Sequence, residues 1–264
     1  MPEAGAGPLG RAWRVLATGA SFAAFGLGGL LLGALIFPLL LLVPEPRPLA
    51  RRLVQRSFGM HVWLMRVLGV MTWEVVGRER LQRDGLLILA NHPTLIDVVL
   101  LVSLLPNATC VVKRQVACNP FMRGPVRASG YIANDDGVGL VDDCIAAVRA
   151  GSNLVIFPEG TRTVPGQALR LQRGAANIAV RGRLDITPVR VTCTPPTLVK
   201  GQKWYRVPSR RFHIRIEVGE DLPIAPFLVD ADGIAQGDVL VARRLTDYLT
   251  RYFETSGELR RAGA

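Results

Sequence analysis

The 29 residues from Val15 to Val43 carry no charged side chain, and their only polar members are the small Thr18 and Ser21. No other stretch of the chain limits its folding as strongly. A helix rises about 1.5 Å per residue, so about 20 apolar residues cross the hydrocarbon core of a bilayer and this run is long enough to span. A secretory signal peptide is the competing reading. Its apolar region is normally about 7–15 residues and ends in a small-residue cleavage site, whereas this run ends in Phe37-Pro38-Leu39-Leu40-Leu41-Leu42-Val43-Pro44. A helix that dips into one leaflet and returns stays open, because Gly26, Gly28, Gly29, Gly33 and Pro38 ease bending. Arg11 and Arg14 precede the run and Arg47, Arg51, Arg52 and Arg56 follow it. The positive-inside rule then favours a cytoplasmic position for the chain downstream.

From Leu49 to Val70, Arg51, Arg52, Arg56 and Arg66 alternate with Leu53, Val54, Phe58, Val62, Trp63, Leu64, Met65 and Leu68. This pattern predicts an amphipathic helix with arginines for lipid phosphates and Trp63 for the interface; an ordinary helix packed on the body of the protein is the alternative. Residues 1–70 are therefore read as an N-terminal membrane-anchoring helical module and residues 71–264 as a second domain.

The chain is basic, with 32 Lys and Arg against 21 Asp and Glu and a formal charge of +11. Such a balance attracts an anion: nucleic acid, an acidic membrane face or a phosphorylated substrate. Only Lys113, Lys200 and Lys203 are lysines, so part of the arginine excess reflects the codon usage of a GC-rich genome. Nucleic acid is excluded as a partner, since it accounts neither for the apolar run nor for arginines scattered without a recognition motif. Cys110, Cys118, Cys144 and Cys193 are far apart, with no Cys-x-x-Cys pair or zinc spacing, and read as reduced thiols.

After Thr72, apolar runs of strand length alternate with helical patterns. Leu86–Ala90, Thr109–Val112, Gly130–Ala133, Leu154–Phe157, Ile186–Val191 and Phe212–Val218 read as strands. Leu95–Leu105, Val138–Ala150, Leu171–Arg181 and Val239–Glu254 read as helices, and Pro195 to Pro208 as a surface loop. The alternation predicts an α/β fold, a mixed sheet flanked by helices.

Two polar turns follow strands in this pattern. Asn91-His92-Pro93-Thr94-Leu95-Ile96-Asp97 comes straight after Leu86–Ala90. His and Asp five apart would diverge by about 140° inside a helix. They meet only if His92 lies in the turn before the helix, with Pro93 at its first position and Asp97 reaching back. The carboxylate then holds one ring nitrogen as N–H and leaves the other to accept a proton; alone, the pair also fits a structural hydrogen bond. The second turn, Pro158-Glu159-Gly160-Thr161-Arg162, follows Leu154–Phe157 and combines a Gly for close backbone approach with an Arg suited to phosphate or carboxylate. Alone, it fits a turn with a salt bridge. Both lie at strand ends, where α/β sheets place their sites.

An Asn-His-x4-Asp turn with Phe-Pro-Glu-Gly-Thr-Arg some 60 residues later resembles the glycerolipid acyltransferase family, the PlsC-like lysophosphatidic acid acyltransferases. The likeness runs from about Leu86 to Val191 and includes Ile186-Thr187-Pro188-Val189 and the basic Lys113. The family's N-terminal two-helix membrane module resembles Val15–Val43 with Leu49–Val70. The resemblance implies a glycerol-3-phosphate acyltransferase-like fold and direct acyl transfer, with His92 as base and Asp97 as its orienter. Asn91, Lys113, Glu159, Gly160, Thr161 and Arg162 would bind substrate, with Lys113 and Arg162 on its phosphate. The donor would be an acyl carrier protein or coenzyme A thioester, the acceptor a lysophospholipid, with no metal or other cofactor. The implied location is the cytoplasmic face of a bacterial inner membrane, among membrane lipids. One departure stands out: the family's phosphate-binding Arg six positions after a Gly is replaced here by Asp136, in Gly130-Tyr131-Ile132-Ala133-Asn134-Asp135-Asp136. Arg114, Arg123 or Arg127 would have to substitute, or the acceptor is specialised, such as an amino-acid lipid or a lipid-linked secondary metabolite. Capping of the following helix by the two aspartates is a bland alternative, as is a non-catalytic protein that binds anionic lipid.

Overall fold

The structure, a computed structural model, describes residues 7–40, 42–134, 139–164, 166–230 and 232–261. Helix α1 (Pro8–Leu31) runs through a π-helical turn at Leu32–Ile36 into α2 (Phe37–Leu40), and α3 (Pro46–Val67) returns beside it. There follow β1 (Met71–Val76), β2 (Leu87–Ala90), α4 (Asp97–Leu104), β3 (Ala108–Lys113), α5 (Arg114–Cys118), α6 (Pro120–Ser129) and β4 (Ile132–Asn134). The chain ends with α7 (Leu140–Arg149), β5 (Asn153–Ile156), α8 (Arg173–Gly182), β6 (Ile186–Thr194), β7 (Phe212–Val218) and α9 (Asp238–Arg261).

The strands form one sheet in the order β1-β7-β6-β2-β5-β3-β4. Strands β2 to β6 are mutually parallel, whereas β7 is antiparallel to β6 and carries β1 parallel to itself. The sheet is mixed, as expected. Alternation along the strands divides the core between its two faces: Ile88, Ala90, Val155 and Val189 pack with α3 and α4, while Leu87, Leu89, Leu154 and Ile156 pack with α7, α8 and α9. The C-terminal ends of β2 to β6 therefore share one edge with the N-terminal ends of β1 and β7.

Six strands lie where the apolar runs put them. The seventh, β1, is an edge strand whose ladder depends on β7, with Met71 opposite Phe212. Helices α5 and α6 were also unexpected, because Pro120, Gly124 and Pro125 interrupt the periodicity. Pro93 does not occupy the first position of α4: that helix begins at Asp97, and His92 to Ile96 form the turn before it.

Length and composition qualify Pro8–Leu40 to cross a membrane, with a mean hydropathy of 2.2 and only 6% of its most apolar window buried. One side nevertheless touches the protein along its length. Trp13 donates to the carbonyl of Leu68 at 3.0 Å, Phe25 lies 5.6 Å from the ring of Phe58, and Gly33 meets Gly124 of α6. Residues Ala50, Val54, Phe58, Val62 and Met65 of α3 share a core with Leu100 and Leu101 of α4. Residues 7–70 thus cover one face of the sheet domain instead of standing apart from it. Two arginines read from sequence as membrane-facing or topogenic point inward. Arg51 donates to Ser129 O, Asn107 Oδ1 and Ser152 Oγ at 2.7–2.9 Å, and Arg14 to Pro208 O and Ser209 O. Arg52, Arg56, Arg66 and Trp63 are exposed.

The crossing of the first helix with α6 has no room for a side chain, since a Cβ on Gly124 would lie 2.9 Å from Gly33 Cα. Gly124→Val is expected to destabilise the fold by about 1–3 kcal/mol through overpacking. Thermal unfolding of the detergent-solubilised chain checks it, with an expected drop of roughly 2–10 °C.

Candidate active site

Strand β2 delivers the first turn to the shared edge, and Asn91 fixes where it leaves the sheet. Its amide Nδ2 donates to Val191 O at 2.8 Å, while its Oδ1 accepts from Val191 N at 2.7 Å. The side chain thereby extends the β2–β6 pairing beyond Ala90, which faces Val189. A role in substrate binding is not needed to explain Asn91.

His92 follows, one-sixth exposed at its side chain, with its ring 4.4 Å from that of Phe157. Its Nδ1 lies 3.0 Å from Oδ2 of Asp97, the first residue of α4. Asp97 is fully buried. The same Oδ2 accepts from Thr94 N at 2.6 Å, and Oδ1 accepts from Thr94 Oγ1 at 2.5 Å. Burial pushes the Asp97 carboxyl up, against the hydrogen bonds from His92 and Thr94 that hold it down. With Nδ1–H donating to this carboxylate, Nε2 is left as a proton acceptor. Thr94 is a positioning residue that sequence reasoning missed. Its only signal was a hydroxyl three residues before the Asp.

The second turn is joined to the first by two hydrogen bonds. The N–H of His92 donates to Glu159 Oε1 at 2.9 Å, and Thr163 N–H donates to the His92 carbonyl at 2.7 Å. Thr163 Oγ1 also donates to Glu159 Oε1 at 2.9 Å. Glu159, 8% exposed, therefore holds the histidine turn in place. Burial raises its pKa above the ordinary 4.5, opposed by the His92 and Thr163 donors. Gly160 has φ of 66°, the left-handed region that favours glycine, and its N–H closes the turn onto Phe157 O. Thr161 lies in the same turn, half-buried.

Arg162 does not point to an unoccupied anion site by default. Its Nη1 donates to Leu198 O at 2.8 Å and Val199 O at 3.2 Å. Those carbonyls belong to the segment between β6 and β7, which also accepts Leu95 N–H at Leu198 O. Thr197 and Leu198 are buried. The stretch read from sequence as a surface loop is thus partly an inner wall of the site, because its carbonyls accept from both polar turns.

Lys113 ends β3 at the same edge and is exposed. One strand, β5, separates β3 from β2, so Lys113 stands roughly 10 Å to the side of His92. Arg114 opens α5 at that edge, whereas Arg127 sits in the last turn of α6, next to the start of β4 at the opposite edge. The structure thus brings Asn91, His92, Asp97, Glu159, Gly160, Thr161 and Arg162 together and leaves Lys113 on the flank. Asp135 and Asp136 lie outside the described residues. Among the described residues, no group of three or more His, Cys, Asp or Glu side chains is arranged to hold a metal ion.

If Glu159 acts by holding the turn, Glu159→Gln should keep its acceptor oxygen and its fold while Glu159→Ala loosens both turns, at about 1–3 kcal/mol. The raised carboxyl pKa adds a pH signature. The native state binds the Glu159 proton more tightly than the unfolded chain, so this contribution is complete below about 4.5 and is lost as pH rises through the folded value. Melting temperatures from pH 4 to 8 should show the wild type losing ground to the Gln variant as pH increases.

Comparison with known proteins places these turns. Residues 72–192 match the family model described as Acyltransferase. The 1-acyl-sn-glycerol-3-phosphate acyltransferase of Pseudomonas aeruginosa is 28% identical over 148 residues, covering 53% of this chain and 56% of that protein. A lyso-ornithine lipid O-acyltransferase of the same organism is 30% identical over 135 residues, 49% of this chain and 52% of that protein. The chain spans about half the length of the curated relatives it matches. The crystal structure of the 1-acyl-sn-glycerophosphate (LPA) acyltransferase PlsC from Thermotoga maritima superposes with a TM-score of 0.66 at 19% identity, covering 94% of this chain and 98% of that one. The fold is shared with it.

Proposed function

We propose that the chain, whose residues 72–192 match the family model described as Acyltransferase, is a membrane-bound O-acyltransferase. It moves a fatty acyl group from an acyl carrier protein or coenzyme A thioester to the hydroxyl of a lysophospholipid, with lysophosphatidic acid as default acceptor and phosphatidic acid as product. The observation that carries this reading is the His92–Asp97 pair, 3.0 Å apart, locked by Thr94 and backed by Glu159 at the sheet edge.

His92 Nε2 takes the proton of the acceptor hydroxyl as its oxygen attacks the thioester carbonyl. Asp97 stabilises the imidazolium that forms. The tetrahedral oxyanion is met by backbone N–H groups of the motif turns, then collapses to the ester, and the departing thiolate takes from His92 the proton that came from the acceptor hydroxyl. The acyl group arrives activated as a thioester, so the reaction calls for no covalent acyl-enzyme, metal or cofactor. Lys113 and Arg114, exposed at the same edge, are the cations proposed to meet the acceptor phosphate, since Arg162 Nη1 is engaged by carbonyls. The apolar Pro8–Leu40 and the exposed Trp63 and Arg52 of α3 support attachment to a membrane, and the location proposed for it is the cytoplasmic face of a bacterial inner membrane.

A second acceptor class has its own support. Asp136 stands where the resemblance calls for a phosphate-binding arginine, with Asp135 beside it in sequence, and one relative is named a lyso-ornithine lipid O-acyltransferase. Acidic residues repel a phosphate and attract an ammonium, so an amino-acid lipid with a free amine suits this chain chemically.

Transfer of a radiolabelled acyl group from its thioester, measured on full-length protein in vesicles, tests the mechanism. His92→Ala should lower kcat by about 10²–10⁴, and Asp97→Asn should also lower it severely while the fold persists; full activity in His92→Ala would end this reading. Lysophosphatidic acid and lyso-ornithine lipid offered side by side, with products read by mass spectrometry, decide between the acceptors.

A further inference from the structure

The segment between β6 and β7 has one end in the site and the other on the apolar helix. At the site, Leu198 O accepts from Leu95 and from Arg162, and Val199 O accepts from Arg162. Further on, the ring of Trp204 rests on Gly19 of α1, where a Cβ would lie 3.0 Å from it. Pro208 O and Ser209 O then take the buried guanidinium of Arg14 in the same helix. A strap of about a dozen residues thus connects the turn that orients His92 to the helix read as membrane-bound.

Its outward face is basic, as is that of α3. Lys200, Lys203, Arg206 and Arg210 are all exposed, and no acidic residue lies between Thr194 and Phe212. Two of the chain's three lysines are here. Arginine serves throughout the interior as a planar multi-oxygen donor, whereas lysine presents a compact, hydrated charge suited to a wet anionic surface. Trp204 and Tyr205 are 44% and 46% exposed, with Lys203 Nζ 5.7 Å from the Tyr205 ring. Trp13, half-exposed, lies on the same helix as Gly19, between Leu9 and Leu16, which are also exposed. Amphipathic aromatics beside an apolar helix, bordered by cations, are the chemistry of a bilayer interface. An acidic protein would match the charge but not the exposed leucines and tryptophans.

We propose that the strap from Leu198 to Arg210 is a second membrane contact, separate from the two N-terminal helices, in which Lys200, Lys203, Arg206, Trp204 and Tyr205 seat on anionic phospholipid headgroups. Because the strap's inner carbonyls hold Leu95 and Arg162, seating it sets the site, and acyl transfer rises with the anionic content of the bilayer. This coupling rests on the acyltransferase reading; the contact itself does not.

The test reconstitutes full-length wild type, Trp204→Phe and the triple variant K200Q/K203Q/R206Q into phosphatidylcholine vesicles with and without about one-third phosphatidylglycerol. Brominated lipids quench tryptophans that reach the interface, and the wild-type minus Trp204→Phe difference isolates Trp204. Quenching of Trp204 should rise with phosphatidylglycerol. Placing the same Phe substitution in the triple variant reads Trp204 there, and the rise should flatten. Each charge removed should weaken seating about fivefold, on the order of 100-fold for three. Circular dichroism establishes that the variants fold. Unchanged quenching in the triple variant would overturn the proposal. So would a loss of activity in the triple variant that is confined to carrier-protein donors and independent of lipid charge, which would assign the strap to the acyl carrier protein. If no acyl transfer is found in any vesicle, the proposed function fails while quenching still decides the contact.

Discussion

Everything at the site depends on a carboxylate that has no access to water. Asp97 is completely buried, and an ionised group in that position costs several kcal/mol unless donors surround it. Three donors do so: the His92 ring, the Thr94 amide and the Thr94 hydroxyl. They come from the five residues before Asp97, and this is why the chain between β2 and α4 is a tight polar turn and not an extra turn of helix. An ionised Asp97 is satisfied by the His92 tautomer that carries its proton on Nδ1.

A second carboxylate, Glu159, acts on the backbone instead of the ring. Its hydrogen bond to His92 N–H crosses 67 residues of sequence, and the reciprocal bond from Thr163 to His92 O returns across the same gap. Parallel pairing of β2 with β5, Leu89 opposite Ile156, brings the two turns level. The sheet register therefore does chemical positioning: a slip of one residue would exchange the strand's side chains between the two packed faces and separate Glu159 from His92.

Sequence reading reached what is local. β7 has its expected bounds, Phe212–Val218, because its alternate residues Phe212, Ile214, Ile216 and Val218 are buried. His92 and Asp97 meet as their spacing required. What was illegible was carried by contacts between distant residues. The resemblance implied that Asn91 and Arg162 bind substrate, yet Val191 and the Leu198 and Val199 carbonyls engage Asn91 and Nη1 of Arg162. No local pattern in Pro195–Pro208 announces that its inner face is buried on the site. Strand β1 was hidden for the same reason, since its ladder partner lies about 140 residues away.

The +11 charge separates along the same line. Arg14, Arg51 and Arg162 each donate to two or three oxygens from other parts of the chain. Arg14 ties α1 to the strap, Arg51 ties α3 to the end of α6 and to the loops before β3 and β5, and Arg162 ties the Glu159 turn to the strap. A guanidinium does this because its rigid fork satisfies several carbonyls at once, and lysine would leave some of them unpaired. These three cations hold layers together from within, so at least part of each guanidinium is committed to oxygens of the chain itself. The cations that remain exposed on α3 and on the strap flank the apolar helix, and that placement, more than their number, is what relates the protein's charge to a lipid surface.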